Sequence, residues 1–274
     1  MGQEPASSRD RDIDEVWRSI LTGEYAALNR VQRAFRSLPS PPRCKLCQAP
    51  FKGPYSPFLK MIGRRPSQLN QQICRICIGG LEKNIGGAEV PVSLLSTDVR
   101  GSTSLAEQMK PADFTASLNR FYTVVFEAVD SEFGLIDHIV GDGVMAMWIP
   151  GFAGYDHPQR AVAAGRRLAA DLTNAPGLGD SFPAGVGVHT GIAYVGVVGD
   201  PGALDFTVLG DVANTAARLG SAAAGGELVI SDDIAKAAHL DTSTLERRLL
   251  DLKGKAEAFP AWVEAVSTQQ SSEI

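Results

Sequence analysis

Several short stretches of this chain hold residue types that bind ions and phosphates. Two are CxxC turns, Cys44-x-x-Cys47 and Cys74-x-x-Cys77, and they contain all four cysteines. A tight turn of this kind aims two thiolates at one point. Two such turns make a tetrahedral four-sulfur site, which reads first as Zn2+ and alternatively as an iron–sulfur cluster. A third stretch, LLSTDVRGSTSLAEQM from Leu94 to Met109, runs apolar up to Asp98 and then turns through Gly101, Ser102 and Thr103. Small residues leading into the free amides of a helix start suit a phosphate chain. Ser104 and Glu107 read as a capping box that starts the helix near Leu105. A second acid, Asp142, lies in a Gly-Asp-Gly turn between two apolar arms. Two carboxylates beside a phosphate cradle point to two divalent cations, Mg2+ or Mn2+. In LDFTVLGDVANTAARL, Leu204 to Leu219, Asn214 and Arg218 are four apart on one helical face, where an amide and a guanidinium hold a ribose and a phosphate oxygen.

The elements that must position these groups follow from periodicity. VPVSLLSTDV reads as a strand, and residues 104 to 130 as one helix. GLIDHIVGDGVMAMWIP reads as a hairpin and residues 158 to 173 as a helix. FPAGVGVHTGIAYVGVVG reads as a pair of strands, VANTAARLGSAA as a helix and GELVIS as a strand. Hairpins mixed with helices predict an α+β layered domain rather than a strict βαβ repeat. Ahead of it, Ile13, Trp17, Ile20, Leu21, Leu28, Val31, Phe35 and Leu38 give residues 12–38 a helical period. Pro39 ends that helix and Gly23 weakens it. Packing on its own protein is the favoured reading. A coiled coil through Leu21, Leu28 and Phe35 is the alternative, spoiled by Asp14 and Glu24.

Charge divides the chain. Residues 29–80 hold ten Lys or Arg and no acid, so the net charge of −5 splits into +10 there and −15 elsewhere. The expected organisation is a disordered N-terminus at 1–11, a helix at 12–38 and a four-cysteine metal module at 39–80. A linker at 81–89, the main domain at 90–266 and a disordered tail at 267–274 complete it. The basic segment could face RNA, an anionic membrane surface or the acidic domain, and a solvated face offsetting acidic charge is favoured. With 44% apolar residues, no ~20-residue apolar run and no apolar leader, the chain reads as a cytoplasmic globular protein. His189, in an alternating strand, reads as structural. His157 and His239 read as surface residues.

LLSTDVRGST, HIVGDGVMAMW, GVGVHTGIAYVGVVG, FTVLGDVANTAARL and LKGKAEAFPAW occur in one order over about residues 88 to 266. In them the chain resembles the class III nucleotidyl cyclases, the adenylate and guanylate cyclase catalytic domain. The resemblance implies a ferredoxin-like βαββαβ core and a head-to-tail homodimer with active sites at the interface. By it Asp98 and Asp142 match the metal-binding acids of one chain, and Asn214 and Arg218 the ribose-orienting Asn and transition-state Arg of the other. Lys253 matches the lysine that reaches the triphosphate, with Lys255 a neighbouring candidate. His138 stands where adenylate cyclases carry a base-reading Lys, and Thr207 where they often carry Asp. ATP is the implied nucleoside triphosphate, converted to cyclic AMP, with GTP or a pyrimidine triphosphate as the alternative. A catalytically silent dimeric sensor and a nucleic-acid-binding metal ribbon are rival readings. Retention of both acids, the Asn and the Arg argues against the first.

Overall fold

The computed structural model describes residues 8–39, 42–68, 70–83, 85–200, 203–252 and 258–266. Its elements are α1 (Ser8–Thr22), α2 (Ala26–Arg36), α3 (Ser56–Met61), α4 (Arg75–Glu82), β1 (Gly86–Val99), α5 (Ser102–Gln108) and α6 (Pro111–Ser131). They continue as β2 (Leu135–Val140), β3 (Gly143–Trp148), α7 (Pro150–Ala153), α8 (His157–Asn174), β4 (Ala184–Asp200) and β5 (Ala203–Leu209). The last are α9 (Asp211–Ala222), β6 (Glu227–Ser231), α10 (Asp232–Ala237), β7 (Glu246–Leu250) and β8 (Phe259–Ala265). Strands run in the order β2-β3-β1-β4-β6-β8-β7, with β5 paired to β4. The succession β1-α6-β2-β3-α8-β4 in that order is the ferredoxin-like βαββαβ arrangement, so the expected α+β class holds. Among the described residues, no helix is long and apolar enough to cross a membrane.

Two compact units form, and they do not follow sequence order. One contains residues 1–91, 149–154 and 192–209, and the other 92–148, 155–191 and 210–274. In the second unit, Leu94 and Leu95 on β1 are fully buried although neighbours in a strand face opposite ways, so the strand is covered on both faces. Phe121, Val125 and Val129 of α6 and Ala161, Leu168 and Leu172 of α8 supply one cover at helical spacing. Each large apolar side chain buried this way contributes about 1.5–3 kcal/mol. In the first unit, Trp17 of α1 stacks on Phe206 of β5 with centroids 6.3 Å apart, and Leu21 is fully buried. The apolar stripe of α1 is therefore spent within its own unit.

Several expected boundaries move, each for a local reason. The helix expected at 12–38 is two helices, broken where Gly23 adopts φ +81°. It begins at Ser8, inside the stretch expected to be disordered. Residues 81–89, expected as a linker, hold the last residues of α4 and the first of β1. The helix expected at 104–130 is α5 and α6, parted at Met109, which is extended, with Pro111 opening α6. The capping box is not formed: α5 starts at Ser102 behind a left-handed Gly101, and Ser104 lies inside the helix. The pair of strands expected near 182–199 is one 17-residue strand, β4. Its glycines make room rather than turns, since a Cβ on Gly185 would come within 2.8 Å of the Ala223 Cβ. Residues 267–274, expected as a tail, lie outside the described residues.

His157 corrects another expectation, for it is buried rather than at the surface. Its Nδ1 lies 2.8 Å from Ser93 Oγ, which meets Thr190 Oγ1 at 2.9 Å, and Thr190 donates to the Val92 carbonyl. His239 is exposed, as expected. Burial lowers the pKa of His157 to about 4, against a smaller opposing pull from Asp156. The folded chain thus binds the proton less readily than the unfolded chain, whose histidine titrates near 6.5. Stability is therefore full above the unfolded value and is lost as pH falls from about 6.5 toward 4, by up to about 3 kcal/mol. Thermal melts at pH 7 and pH 5 should show a larger drop in Tm for the wild type than for His157→Gln. Equal drops would exclude this origin for acid sensitivity.

Candidate active site

Backbone pairing brings the two predicted metal acids together. β1 and β3 are antiparallel with Asp98 opposite Gly143, which seats Asp98 beside the turn that carries Asp142. That pairing sets the Asp142 carboxyl close enough to act on the charge of Asp98. The Asp98 pKa is raised, first by burial and then by Asp142, and the Arg100 guanidinium opposes the rise. Two half-buried carboxyls at this separation repel once both are ionised, so the pair calls for positive charge. Arg100 supplies part of it: Nη2 sits 2.7 Å from Asp98 Oδ2, and Nη1 donates to the Ser221 carbonyl at the end of α9. The donor set, oxygen-only and doubly anionic, fits a hard divalent cation.

The turn itself is held from α6. The Tyr122 hydroxyl donates to the Gly141 carbonyl, next to Asp142. Burial and then the charge of Asp142 raise the Tyr122 pKa, so it stays a donor through neutral pH. Arg100 and Tyr122 were not singled out from sequence. Arg100 stands two residues from Asp98, a spacing that could have flagged it, whereas Tyr122 is nineteen residues from its target with no local signal. After Asp98, Gly101 takes φ +64°, a left-handed value suited to glycine, and Ser102 and Thr103 form the first turn of α5.

Asn214 and Arg218 lie one turn apart on α9, Asn214 exposed and Arg218 half-buried. The opposite face, Thr215, Ala216, Leu219 and Gly220, is buried. Gly220 meets β1 so closely that a Cβ there would stand 2.7 Å from the Ser96 carbonyl oxygen. Among the described residues, no hydrogen bond or ion pair joins Asn214 or Arg218 to Asp98 or Asp142. The pair is presented outward on a helix anchored two residues from the metal acid.

His138 lies on β2 just after an irregularity in the β2–β3 register at Asp137. The buried Asp137 carboxylate sits 2.7 Å from His138 Nδ1, while the ring is 42% exposed. A carboxylate only accepts, so in the neutral ring Nδ1 carries the proton and Nε2 keeps a lone pair. Thr207, buried on β5, belongs to the other unit. His189 is buried with Nδ1 2.8 Å from Ser231 Oγ, a packing role as expected. Lys253 and Lys255 lie outside the described residues.

The four cysteines converge. One potential ligand atom from each of Cys44, Cys47, Cys74 and Cys77 lies within 4.8 Å of all the others. Amide groups of Cys47 and Cys74 point at Cys44 Sγ, and Arg64 Nη1 lies 3.1 Å from Cys47 Sγ. Hydrogen bonds from the neighbouring thiols, Cys44 first, lower the Cys74 pKa, which favours the thiolate that metal binding needs. Four convergent sulfurs fit a tetrahedral Zn2+ or an iron–sulfur cluster.

Two outcomes check this geometry. Tyr122→Phe keeps the ring and frees the Gly141 carbonyl. It should weaken Mn2+ binding about tenfold with a stability change near 1 kcal/mol, and unchanged affinity would remove the role of Tyr122 in holding the turn. Elemental analysis should find about one Zn2+ per chain, or the several irons of a cluster, lost in Cys74→Ser together with several degrees of Tm. An intact chain that folds with all four thiols free would contradict the metal site.

The Adenylate and Guanylate cyclase catalytic domain profile matches residues 88–265. An adenylate cyclase of Anabaena cylindrica is 30% identical over 203 residues, covering 69% of this chain and 40% of that protein. An uncharacterised protein of Mycobacterium tuberculosis is 33% identical over 135 residues, covering 49% of this chain and 24% of its own length. The chain thus spans well under half the length of these relatives. Among solved structures, the guanylyl cyclase Cya2 superposes with TM-score 0.59 at 27% identity, covering 68% of this chain and 98% of its own. The adenylyl cyclase CyaB from P. aeruginosa superposes with TM-score 0.56 at 23% identity, covering 66% and 96%, and speaks for the fold alone. A match that spans well over half of the chain, on a sheet of the corresponding topology, places this protein in the adenylate and guanylate cyclase catalytic domain family.

Proposed function

We propose that this chain is an adenylate cyclase, converting ATP to 3′,5′-cyclic AMP and pyrophosphate in a head-to-tail homodimer. The observation that carries this reading is the meeting of Asp98 and Asp142 beside the Gly101 turn. Those carboxylates would hold two Mg2+ or Mn2+ ions, which supply activation of the ribose 3′-hydroxyl and neutralise phosphate charge. The amides at Ser102 and Thr103 would face the phosphate chain, and Lys253 is the residue that the resemblance assigns to bind it. Asn214 and Arg218 stand outward on α9, where a second copy can receive them. There Asn214 orients the ribose, and Arg218 meets the charge that develops on the α-phosphoryl group, where a preorganised donor acts most strongly. One chain holds both half-sets, so a symmetric dimer carries two complete sites and an isolated chain none.

The Asp137–His138 pair supports adenine over guanine. An Nε2 lone pair accepts from the exocyclic amine of adenine, whereas the matching edge of guanine offers another acceptor. By the resemblance Thr207 is a second base-reading residue, able to donate or accept. A guanine or pyrimidine substrate is the second reading, since guanylyl as well as adenylyl cyclases share this fold. The cysteine module regulates turnover through the integrity of its metal site.

Purified chain incubated with each of the four nucleoside triphosphates and Mn2+ should yield cyclic AMP from ATP, identified by mass. Arg218→Ala should lose about a hundredfold or more in turnover while its circular dichroism is unchanged. Cyclic product from GTP alone would overturn the base assignment. No cyclic product from any triphosphate would overturn the enzyme.

A further inference from the structure

We propose that the α3–α4 face of the cysteine module docks on anionic lipid bilayers, inserting Phe58 and Met61 at the headgroup boundary. This surface is not part of the nucleotide site and lies wholly within the first unit. Its apolar side chains point to solvent: Met61 is 76% exposed, Phe58 61%, Ile76 45% and Ile62 44%. They are not the core face of α3, which is Leu59, 4% exposed. Large apolar side chains grouped in water mark an interaction surface rather than scattered surface residues.

The patch is built to a fixed shape by the cysteine turns. Pro66 bridges to Cys74, and the Arg75 amide donates to the Arg65 carbonyl at 2.9 Å. Gly63, at φ +85°, lies against Ile76, with a Cβ there reaching Ile76 Cγ1 at 3.4 Å. The end of α3 and the start of α4 are thereby held side by side. Between them runs a groove of about 580 Å³, lined by Lys60, Met61, Arg65, Arg75, Ile76 and Lys83. Its four cations are exposed, and Glu82 is the single acid from residue 29 to residue 83.

An apolar tip ringed by cations is the pattern of an interfacial membrane contact, in which apolar groups enter the acyl boundary and Lys and Arg meet anionic headgroups. The apolar set favours lipid over nucleic acid. Phe58 and the neighbouring Tyr55 have π-faces on which a base could stack, but Met61, Ile62 and Ile76 have none, so most of the tip suits acyl chains rather than stacked bases. The groove takes the phosphoryl headgroup of a phosphatidylserine-type lipid, and the tip takes the chains.

The test is co-sedimentation of the full chain with vesicles of mixed phosphatidylcholine and phosphatidylserine, against vesicles of phosphatidylcholine alone. Binding should require phosphatidylserine and fall with added salt. Phe58→Ser with Met61→Ser should weaken it about tenfold or more, and Arg65→Gln and Arg75→Gln about fivefold each. All four side chains are exposed, so circular dichroism and metal content should match the wild type. Equal sedimentation with both vesicle types, or full binding by the Phe58/Met61 variant, would overturn the proposal. So would polyuridylate binding that survives the Phe58/Met61 change in a chain that ignores vesicles.

Discussion

Two carboxyl groups that repel one another organise the active-site end of this fold. Asp98 and Asp142 are brought together by ladder hydrogen bonds between β1 and β3, and burial first, then the nearby Asp142, raise the pKa of Asp98. A strand pairing of six residues has the rigidity to impose that separation, and loops would let the charges drift apart. Arg100 and Tyr122 then act on opposite sides of the problem. Arg100 lends charge to Asp98 while tying it to the end of α9, and Tyr122 holds the turn that carries Asp142. A hard divalent cation would complete the neutralisation.

The cysteine cluster is a second site of stored charge, with different chemistry. Four converging sulfurs, three of them buried and met by backbone amides and Arg64, tie the start of α4 to the turn that carries Cys44 and Cys47. The module buries a small apolar core, Leu46, Phe51, Leu59, Ile73 and Ile78, and a metal held by the four sulfurs would add to it. Trp17, Leu21 and Phe206 pack elsewhere in that unit. The unit therefore combines a segment of the N-terminal module with strand ends from the cyclase domain.

Much of this was readable from residue types, and the misses have physical causes. The Gly-Asp-Gly turn between apolar arms announces the β2–β3 hairpin because few other conformations tolerate that pattern. The cysteine turns announce their site because their spacing leaves thiolates little else to do. By contrast, the glycines of β4 look like turn formers in sequence, and only the close approach of α9 explains them as spacers. His157 looks like a surface residue because its partner, Ser93, is 64 positions away. The break between α5 and α6 was written in Pro111, which opens a helix as readily as it ends one. Long-range partners, and the choice between two local meanings of one residue, are what a single sequence leaves open.

The central claim is that Asp98 and Asp142 act as one cation-binding unit. The direct measurement is a calorimetric Mn2+ titration of the wild-type chain, Asp98→Asn, Asp142→Asn and the double variant. A shared site predicts that either single change weakens binding about tenfold or more, and that the double change adds less than the sum of the two. Single variants that bind as tightly as the wild type, or two losses that add independently, would contradict it.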